Sequence, residues 1–580
     1  MGGPPNVHHS NPQTVQFLAN SWGTQSQAAS LPSNLPFRLV SKTIGSGAYA
    51  SIRKAAPLNQ PTPIIAVKFI NKEHAFRAGR LRPKQLHLEV SLHRSVCPHQ
   101  NIIRFLSHGE DTAWVWMCLE LADGGDLFDK IEADQGVGED IAHLYFTQLV
   151  NAIAWCHGKG VAHRDIKPEN MLLSSDGDLK LADFGLATQF ASLRTGERKK
   201  CGMVCGSPPY IAPEILEVGN INMKRKQGEE KLGYDPQISD VWSCAIVLFV
   251  LFAGNTPWDA PVVGESYEFH DYVRSGGRPE DELWDKVPPA ALSLVRGMLK
   301  VTAPERFTLH DVRKHPWYTR RNPELSEKGL VADPVKLATQ MLESLRIDFS
   351  ADVLAPRGRT GTMLQTDSMD IDSEPNVQYA STQPEAPAPD TLYDWEAPPR
   401  LGAKVHGVVS ASQPITSLDK THADAIRAEL LDYLSEDPTM SQFSQVPVSQ
   451  MTATQHARRF ADLLPSHSLA RFLSHLPFPQ FLPLLLNAVH RLNIPVTPPS
   501  LAAMQGKEDM VSFRIKTTDS RQQLLQGTIV VERVAVPGQA QMEILEVRFL
   551  KAKGDPVGWR RLFKGIAVLC KDAIPRQWED

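Results

Sequence analysis

Residues 163–170 read His-Arg-Asp-Ile-Lys-Pro-Glu-Asn, and residues 183–185 read Asp-Phe-Gly. Moving a phosphoryl group onto a hydroxyl requires a carboxylate that takes the hydroxyl proton. It also requires an amide and a second carboxylate that hold Mg²⁺ against the nucleotide phosphates. Asp165, Asn170 and Asp183 supply these three groups in the expected order and spacing. The two motifs therefore predict a phosphoryl-transfer site, and they decide the expected fold.

A glycine-rich turn upstream supports the same chemistry. Residues 44–52 read Ile-Gly-Ser-Gly-Ala-Tyr-Ala-Ser-Ile and follow a predicted strand; glycine lets the backbone approach phosphates because it has no Cβ. Alone such a turn is weak evidence, since hairpins also use glycine. Lys68 lies on the next apolar strand, where a lysine is costly unless it is paired, and Glu89 in the following helix is the expected partner. The alternative is an exposed lysine at a strand edge.

Composition narrows the class of protein. The chain has 580 residues and a net charge of −4, so its size favours two domains with connections and its charge predicts no direct nucleic-acid partner. Its seven cysteines follow no framework spacing, which favours reduced thiols and an intracellular location. No membrane span is predicted.

The composition also predicts the domain organisation. Residues 1–36 contain no Lys, Arg, Asp or Glu and are predicted to be a disordered leader. A dense globular pattern runs over 37–318. Residues 319–456 are predicted to be a linker, since residues 351–400 hold seven prolines and nine acidic residues but only three arginines. Residues 457–580 are predicted to form a small regulatory domain with helices, an antiparallel meander and a closing helix.

Within this second domain, segments 457–464, 469–476 and 481–492 have helical periodicity. Segments 510–516, 527–536 and 542–550 are predicted strands, and 559–570 is the predicted closing helix.

The region 37–318 resembles the eukaryotic protein kinases, and this resemblance covers about half of the chain. Besides the motifs above, Ala-Pro-Glu at 212–214, Ser-Asp-Val-Trp-Ser at 239–243 and Arg306 match the family pattern. The resemblance implies an α+β bilobal kinase fold in which a small β-rich lobe grips ATP and a larger helical lobe carries the catalytic loop. It also implies that Glu214 pairs with Arg306 as a structural contact.

The resemblance assigns roles to individual residues. Asp165 orients the substrate hydroxyl and accepts its proton, and Lys167 stabilises charge on the transferred group. Lys68 holds the α- and β-phosphates of ATP, while Asn170 and Asp183 bind Mg²⁺. Further residues are implied to contact the nucleotide: Ile44, Gly45, Gly47 and Ile52 in the glycine-rich turn, Ala66 and Leu172 on either side of the base, Glu89 beside the lysine, Glu120 and Ala122 through backbone groups, and Leu119 behind the base.

One position departs from the family pattern. Ala50 replaces the third glycine of the turn, for which we expect a modest effect on nucleotide affinity.

Lys167 and the stretch 206–210, Gly-Ser-Pro-Pro-Tyr, match the serine/threonine branch of the family. Asp126 and Glu169 lie where some kinases bind an arginine that precedes the acceptor, since carboxylate–guanidinium pairing is geometrically strong. Protein substrates with basic residues before Ser or Thr are therefore expected. The alternative is that these acids are only solvated.

The finer resemblance is to the DNA-damage checkpoint effector kinases, which delay the cell cycle. It rests on the stretches 124–132, 183–190 and 205–207 and on the kinase-first order with a distant C-terminal domain. Residues 217–233 are expected to be a surface insertion. The resemblance implies a nuclear location, together with cytoplasm.

Ser or Thr precedes Gln five times within a short stretch, a pattern that DNA-damage-activated phosphatidylinositol-3-kinase-like kinases phosphorylate. Each phosphate adds about −1.5 to −2 charge, enough to displace a weakly docked segment. The same dipeptide occurs elsewhere in the chain, so composition explains part of the cluster. The clustered acceptors are Ser412, Ser441, Ser444, Ser449 and Thr454.

The C-terminal domain resembles the kinase-associated fold, and we expect it to dock on the kinase domain through one basic face. A merely solvated basic face is the alternative. The residues expected on this face are Arg548, Lys551, Lys553, Arg560, Arg561 and Lys564.

Two other functions compete with an active checkpoint kinase. A pseudokinase scaffold normally lacks one of the residues found here as Lys68, Asp165 and Asp183, so it is disfavoured. A metabolic, Snf-like serine/threonine kinase also ends in a kinase-associated domain, but the Ser-Gln cluster favours the checkpoint function.

Overall fold

The first folded element is a five-stranded antiparallel sheet that forms the small lobe, with strand order β1-β2-β3-β5-β4. The computed structural model describes residues 31–32, 34–46, 50–77, 83–226, 229–349, 438–443, 457–464, 469–496, 508–518, 524–535, 543–554 and 556–575. The small lobe comprises β1 Phe37–Ser46, β2 Ala50–Pro57, β3 Ile65–Asn71, β4 Phe105–Glu110 and β5 Trp114–Glu120 with helices α1 Lys72–Arg77 and α2 Pro83–Val96.

Strand β3 lies at the centre of this sheet and pairs with both β2 and β5. Its residues Val67, Phe69 and Ile70 are fully buried, because alternate side chains of a strand point to opposite faces and both faces here are covered. This position carries Lys68 to the cleft below the sheet.

The large lobe is built around helix α5, Pro236–Ala253, whose sequence is mostly apolar and whose residues are nearly all buried. Asp235 caps its first turn, and Gly254 ends it in the left-handed conformation at φ 62°. The large lobe contains β6 Gly125–Asp126, α3 Glu139–Gly158, β7 Val161–Ala162, β8 Met171–Leu173, β9 Leu179–Leu181, β10 Thr188–Gln189, α4 Pro213–Lys224, α5 Pro236–Ala253, α6 Tyr267–Arg274, α7 Pro289–Met298 and α8 Leu309–Lys314.

By length and hydropathy, helix α5 meets the requirements of a membrane-spanning helix. However, 89% of the qualifying window is buried within the protein, as in the central helix of a folded lobe, so it is weak evidence for a span.

The chain continues past residue 318 as an ordered extension, which corrects the predicted start of the linker at 319. Helix α9, Pro334–Ser344, is capped by Asp333 and buries Leu337 and Met341 in the core of the large lobe. The hydroxyl of Tyr145 lies 3.5 Å from the sulfur of Met341. The composition of 351–400 led us to extend the linker too far upstream, because this apolar helix precedes that stretch.

Much of the predicted leader and linker lies outside the described residues, and so do the acceptors Ser412, Ser444, Ser449 and Thr454. Within the leader, Leu31 and Leu35 are partly buried against the small-lobe sheet.

The C-terminal domain contains a four-stranded antiparallel sheet of order β11-β14-β13-β12. A helix was predicted for 469–476, but Arg471–Ser474 is a strand that pairs with β14. The preceding segment, 457–464, packs into the core of the large lobe through Phe460 and Leu463. The elements are α10 Phe460–Leu463, β11 Arg471–Ser474, α11 Phe478–Arg491, β12 Met510–Thr518, β13 Leu524–Ala535, β14 Glu543–Lys553 and α12 Pro556–Leu569.

Candidate active site

An ion-pair triad lies in the cleft between the two lobes. The Lys68 ammonium lies 2.7 Å from the Glu89 carboxylate and 3.1 Å from that of Asp183. Glu89 comes from helix α2, so its contact with β3 fixes this helix against the sheet. The triad therefore joins the small lobe to the Asp-Phe-Gly segment of the large lobe.

Charge and burial compete at this triad. Burial alone would raise the pKa of Asp183, but Lys68 outweighs it and lowers that pKa to about 2. Burial also raises the pKa of Glu89, and Lys68 opposes this rise. Asp183 is therefore ionised at neutral pH, as a metal-binding carboxylate must be.

Phe184, which follows Asp183, is buried between two histidines. Its ring stacks on His93 of helix α2 at 4.6 Å and meets His163 edge-on at 5.0 Å. Burial lowers the pKa of His93 to about 4, so this contact is made by a neutral imidazole at physiological pH. The packing holds the segment with Asp183 pointing to the cleft.

Asp240, near the start of helix α5, holds the catalytic loop in place. Its two carboxylate oxygens accept the backbone N–H groups of His163 and Arg164 at 2.9 and 2.8 Å, and His157 lies 2.8 Å away. Arg164 adopts φ 67°, an uncommon conformation for a residue with a side chain. The stretch 239–243 was matched to the family in the sequence, but this role of Asp240 was missed.

The catalytic loop brings four polar side chains together. Asp165 accepts hydrogen bonds from the Ser207 hydroxyl at 3.0 Å and the Asn170 amide at 3.1 Å, and the Lys167 ammonium lies 3.1 Å from it. Lys167 also donates to Ser207 at 2.8 Å. Burial would lower the pKa of Lys167, but Asp165 raises it, so this lysine stays charged.

The residues predicted to surround the base come from strands of both lobes. Ala66 pairs with Leu119 across strands β3 and β5, and Ile52 pairs with Lys68 across β2 and β3. Leu172 lies on β8 of the large lobe. Of the remaining predicted contacts, Ile44 and Gly45 lie near the end of strand β1, Glu120 ends strand β5 and Ala122 follows it, whereas Gly47 lies outside the described residues.

The site fits a nucleotide with a hard divalent cation. The Asn170 amide nitrogen donates to Asp165, so the side-chain carbonyl oxygen of Asn170 could act as a metal donor together with the Asp183 carboxylate. Within the described part of the chain, no cluster of three or more His, Cys, Asp or Glu could hold a metal. Two protein oxygens suit an ion that takes its other ligands from phosphates and water.

The activation segment after Asp183 is held by contacts within the chain. The Arg164 guanidinium donates to the carbonyl of Leu186 at 2.7 Å and to the hydroxyl of Tyr234 at 3.4 Å. Farther along, Arg306 makes a two-point pair with Glu214 at 2.8 and 2.9 Å, as predicted. These contacts join the two ends of this segment to the rest of the large lobe.

The C-terminal domain contacts the large lobe beside the cleft, at an acidic turn formed by Glu132, Ala133 and Asp134. Arg561 of helix α12 makes a two-point pair with Asp134, and the Lys564 ammonium lies 2.7 Å from Glu132.

Two further contacts complete this docking interface. Arg560 lies 3.6 Å from Glu132, and Val557 packs on Ala133. The predicted basic face is therefore only partly correct, because Arg548 pairs with Glu532 within its own domain.

Lys551 of strand β14 acts electrostatically on the predicted arginine site. Burial raises the pKa of Glu169, and the charge of Lys167 and, to a smaller extent, that of Lys551 oppose this rise. The sequence analysis assigned Glu169 to the arginine site and Lys551 to the basic face of the C-terminal domain. It did not predict that their charges interact, because 382 positions separate the two residues along the chain.

Comparison with known proteins identifies the family. The protein kinase domain family matches residues 39–318. The Schizosaccharomyces pombe serine/threonine-protein kinase chk1 is 34% identical over 92% of this chain and 96% of its own length. The Saccharomyces cerevisiae CHK1 is 32% identical over 95% and 99%. A rice CBL-interacting protein kinase is 35% identical, but over only 48% of this chain.

The matches cover both the catalytic cleft and the C-terminal region. The protein is an ATP-dependent protein serine/threonine kinase and uses a divalent metal. The chain belongs to the Chk1 family of serine/threonine protein kinases.

Proposed function

We propose that this kinase transfers the γ-phosphate of Mg-ATP to serine or threonine of proteins that carry basic residues before the acceptor, and that it acts as a DNA-damage and replication checkpoint effector. The observation that carries the catalytic part is the joint placement of Asp165, Lys167 and Ser207 in one hydrogen-bonded group. The full-length similarity to proteins named chk1 supports the checkpoint part.

Asp165 orients the substrate hydroxyl and accepts its proton as the oxygen attacks phosphorus. The carboxylate is held by Ser207 and Asn170, so it needs little reorganisation during the reaction. Lys167 places a positive charge where negative charge develops on the transferred group. Mg²⁺ bound by Asn170 and Asp183 would neutralise phosphate charge, and Lys68 would hold the α- and β-phosphates.

The adenine would lie between Ala66 and Leu172, with backbone groups of Glu120 and Ala122 as hydrogen-bonding partners. The apolar walls and a few polar backbone groups are what such a pocket requires. The glycine-rich turn, with Ile44, Gly45, Gly47 and Ile52, would cover the phosphates.

We further propose that Asp126 and Glu169 bind a substrate arginine. The carboxylate of Glu169 has a buried oxygen with no hydrogen-bond partner among the described residues. A guanidinium would donate hydrogen bonds to this oxygen. Its positive charge would also favour the ionised form of the Glu169 carboxylate, which burial alone disfavours.

The docking interface supports a regulatory role for the C-terminal domain. Glu132 is fully buried beneath Lys564 and Arg560, and the charge of Lys551 in the same domain acts on Glu169. The docked domain would therefore compete with a basic substrate, and phosphorylation of the Ser-Gln cluster by phosphatidylinositol-3-kinase-like kinases would favour the undocked state. A nuclear location with a cytoplasmic pool follows from this function.

A metabolic, Snf-like function is the alternative. The CBL-interacting kinases are 35% identical, but over only about half of the chain. The chk1 relatives match over 92–95% of it. This difference favours the checkpoint function.

A peptide-array assay with Mg-ATP tests the catalytic proposal. We expect phosphorylation of Ser and Thr peptides with an arginine before the acceptor, and loss of about 10²–10⁴ in rate for Asp165→Ala. Nucleotide binding by Asp165→Ala, followed by thermal shift, controls for misfolding. Equal rates for peptides with and without arginine would contradict the proposed substrate class.

The checkpoint role needs its own test in cells. A chain carrying Asp165→Ala should fail to delay division after DNA damage, whereas the wild-type chain should restore the delay. Restored delay by the inactive variant would contradict a role through phosphorylation.

A further inference from the structure

One of the Ser-Gln sites lies within the described structure, in a short helix that completes the core of the C-terminal domain. This docked SQ segment, Pro438–Phe443, buries Met440 and Phe443. The Phe443 ring contacts those of Phe472 at 6.3 Å and Phe349 at 6.2 Å. The segment is therefore an integral part of the domain, although the sequence predicted it to be linker.

The glutamine that follows Ser441 is held by a complete set of hydrogen bonds. Gln442 is 2% exposed, and its amide nitrogen donates to the carbonyls of Leu469 at 3.1 Å and Arg471 at 3.4 Å. Its side-chain oxygen accepts from Arg560 at 3.0 Å. Its backbone carbonyl accepts the N–H of Ile347 at 2.9 Å.

A buried, fully bonded amide is costly to withdraw, because each lost partner leaves a buried polar group unpaired. A kinase that selects glutamine directly after the acceptor must contact this same side chain. The domain and the modifying kinase therefore compete for Gln442.

We propose that docking of the SQ segment hides Ser441 from a glutamine-directed kinase, so that Ser441 is modified only after the segment has left the C-terminal domain. This inference rests on the proposed function, in which such kinases act on the cluster. In the step itself the Ser441 oxygen bonds to the γ-phosphorus of ATP, the bond to ADP breaks, and the hydroxyl proton passes to the modifying kinase.

The rate at a hidden site follows the population of the open state when opening is fast. The quantity to compare is the rate of phosphorylation at Ser441 divided by the rate at Ser412. We expect this ratio to be at least about tenfold lower in the intact chain than in an unfolded peptide, because a docking free energy of about 1.4 kcal/mol gives this factor.

The test compares the intact chain with a synthetic peptide of residues 405–455, using one glutamine-directed phosphatidylinositol-3-kinase-like kinase and mass spectrometry of both sites. The Ser441-to-Ser412 ratio should fall about tenfold in the intact chain. An equal ratio in the chain and the peptide would overturn the proposal.

Two variants outside the recognition sequence sharpen the comparison. Phe349→Ala removes a ring that packs on Phe443 and should raise the ratio towards that of the peptide. Val511→Ala, on strand β12 at the opposite edge of the sheet, controls for general loss of stability and should leave it unchanged. Equal effects of the two variants would count against a specific docking contact.

Hydrogen exchange provides a measurement that needs no modifying kinase. The Ile347 amide should exchange slowly in the wild type and faster in Gln442→Ala and Phe349→Ala, but not in Val511→Ala. If the peptide is phosphorylated at neither serine, the proposed function fails, and the exchange result alone decides whether the segment docks. Unchanged exchange at Ile347 in both variants overturns the docking.

Discussion

Reversing the charge of Lys564 tests whether the docking interface controls the kinase. Lys564→Glu places a second carboxylate beside Glu132, which is fully buried and loses its partner at 2.7 Å. Removing one partner of a buried ion pair costs about 3–5 kcal/mol. We take the lower value, about 3 kcal/mol, because Lys564 itself is 23% exposed. The ratio of undocked to docked chain then rises about 150-fold.

The assay is the initial rate with a basic peptide below saturation at fixed Mg-ATP. We expect Lys564→Glu to lower the KM for the peptide and to leave the KM for ATP unchanged. The change lies beside the peptide site and does not touch the triad of Lys68, Glu89 and Asp183. Lys571→Glu, an exposed position in the same domain, makes the same charge change outside the interface and serves as the control.

Exchanging the charges of Glu132 and Lys564 completes a double-mutant cycle. Glu132→Lys should also release the domain, and combining it with Lys564→Glu should restore docking because the pair reforms with opposite sense. Small-angle scattering would report the accompanying expansion. Strictly additive effects of the two changes, or a Lys571→Glu effect of equal size, would refute the reasoning.

Three further predictions concern single contacts. Lys68→Met removes the charge that lowers the pKa of Asp183 to about 2. In the wild type this interaction stabilises the fold by about 2 kcal/mol above pH 4 and is lost as Asp183 is protonated. The difference in Tm between wild type and variant should therefore shrink as pH falls from 4 to 2. A constant difference across that range would contradict this origin. Arg306→Lys keeps the charge but loses the two-point pair with Glu214, and we expect a loss of about 2 kcal/mol in unfolding free energy by denaturant titration. An unchanged midpoint would show that the pair contributes nothing. Gly177→Ala introduces a Cβ at φ 87° and 2.7 Å from the neighbouring phenylalanine ring of helix α10; proteolysis at 457–464 should become faster, and unchanged cleavage would contradict the packing.

The catalytic site was predictable because its chemistry dictates residue types at short spacings. The loop that carries Asp165 and Asn170 spans a few residues, so its geometry is local. Lys68 and Glu89 were paired from the sequence because a buried charge needs a partner. The roles of these residues in binding nucleotide and metal remain predictions.

The contacts between distant segments were not predictable from local patterns. The docked SQ segment has two buried apolar residues among polar ones, which resembles an ordinary linker. Its partners lie far along the chain, on strand β11 and helix α12. The strand Arg471–Ser474 was interpreted as a helix because four residues are too few to distinguish the two periods.

The described residues on either side of positions 350–437 belong to the same small domain, since Phe349 and Phe443 are in ring contact there. Lengthening a connection whose ends are already held together is inexpensive: doubling it costs about 0.6 kcal/mol in closure entropy. Insertions and deletions in this part of the gene should therefore leave the folded protein almost unaffected.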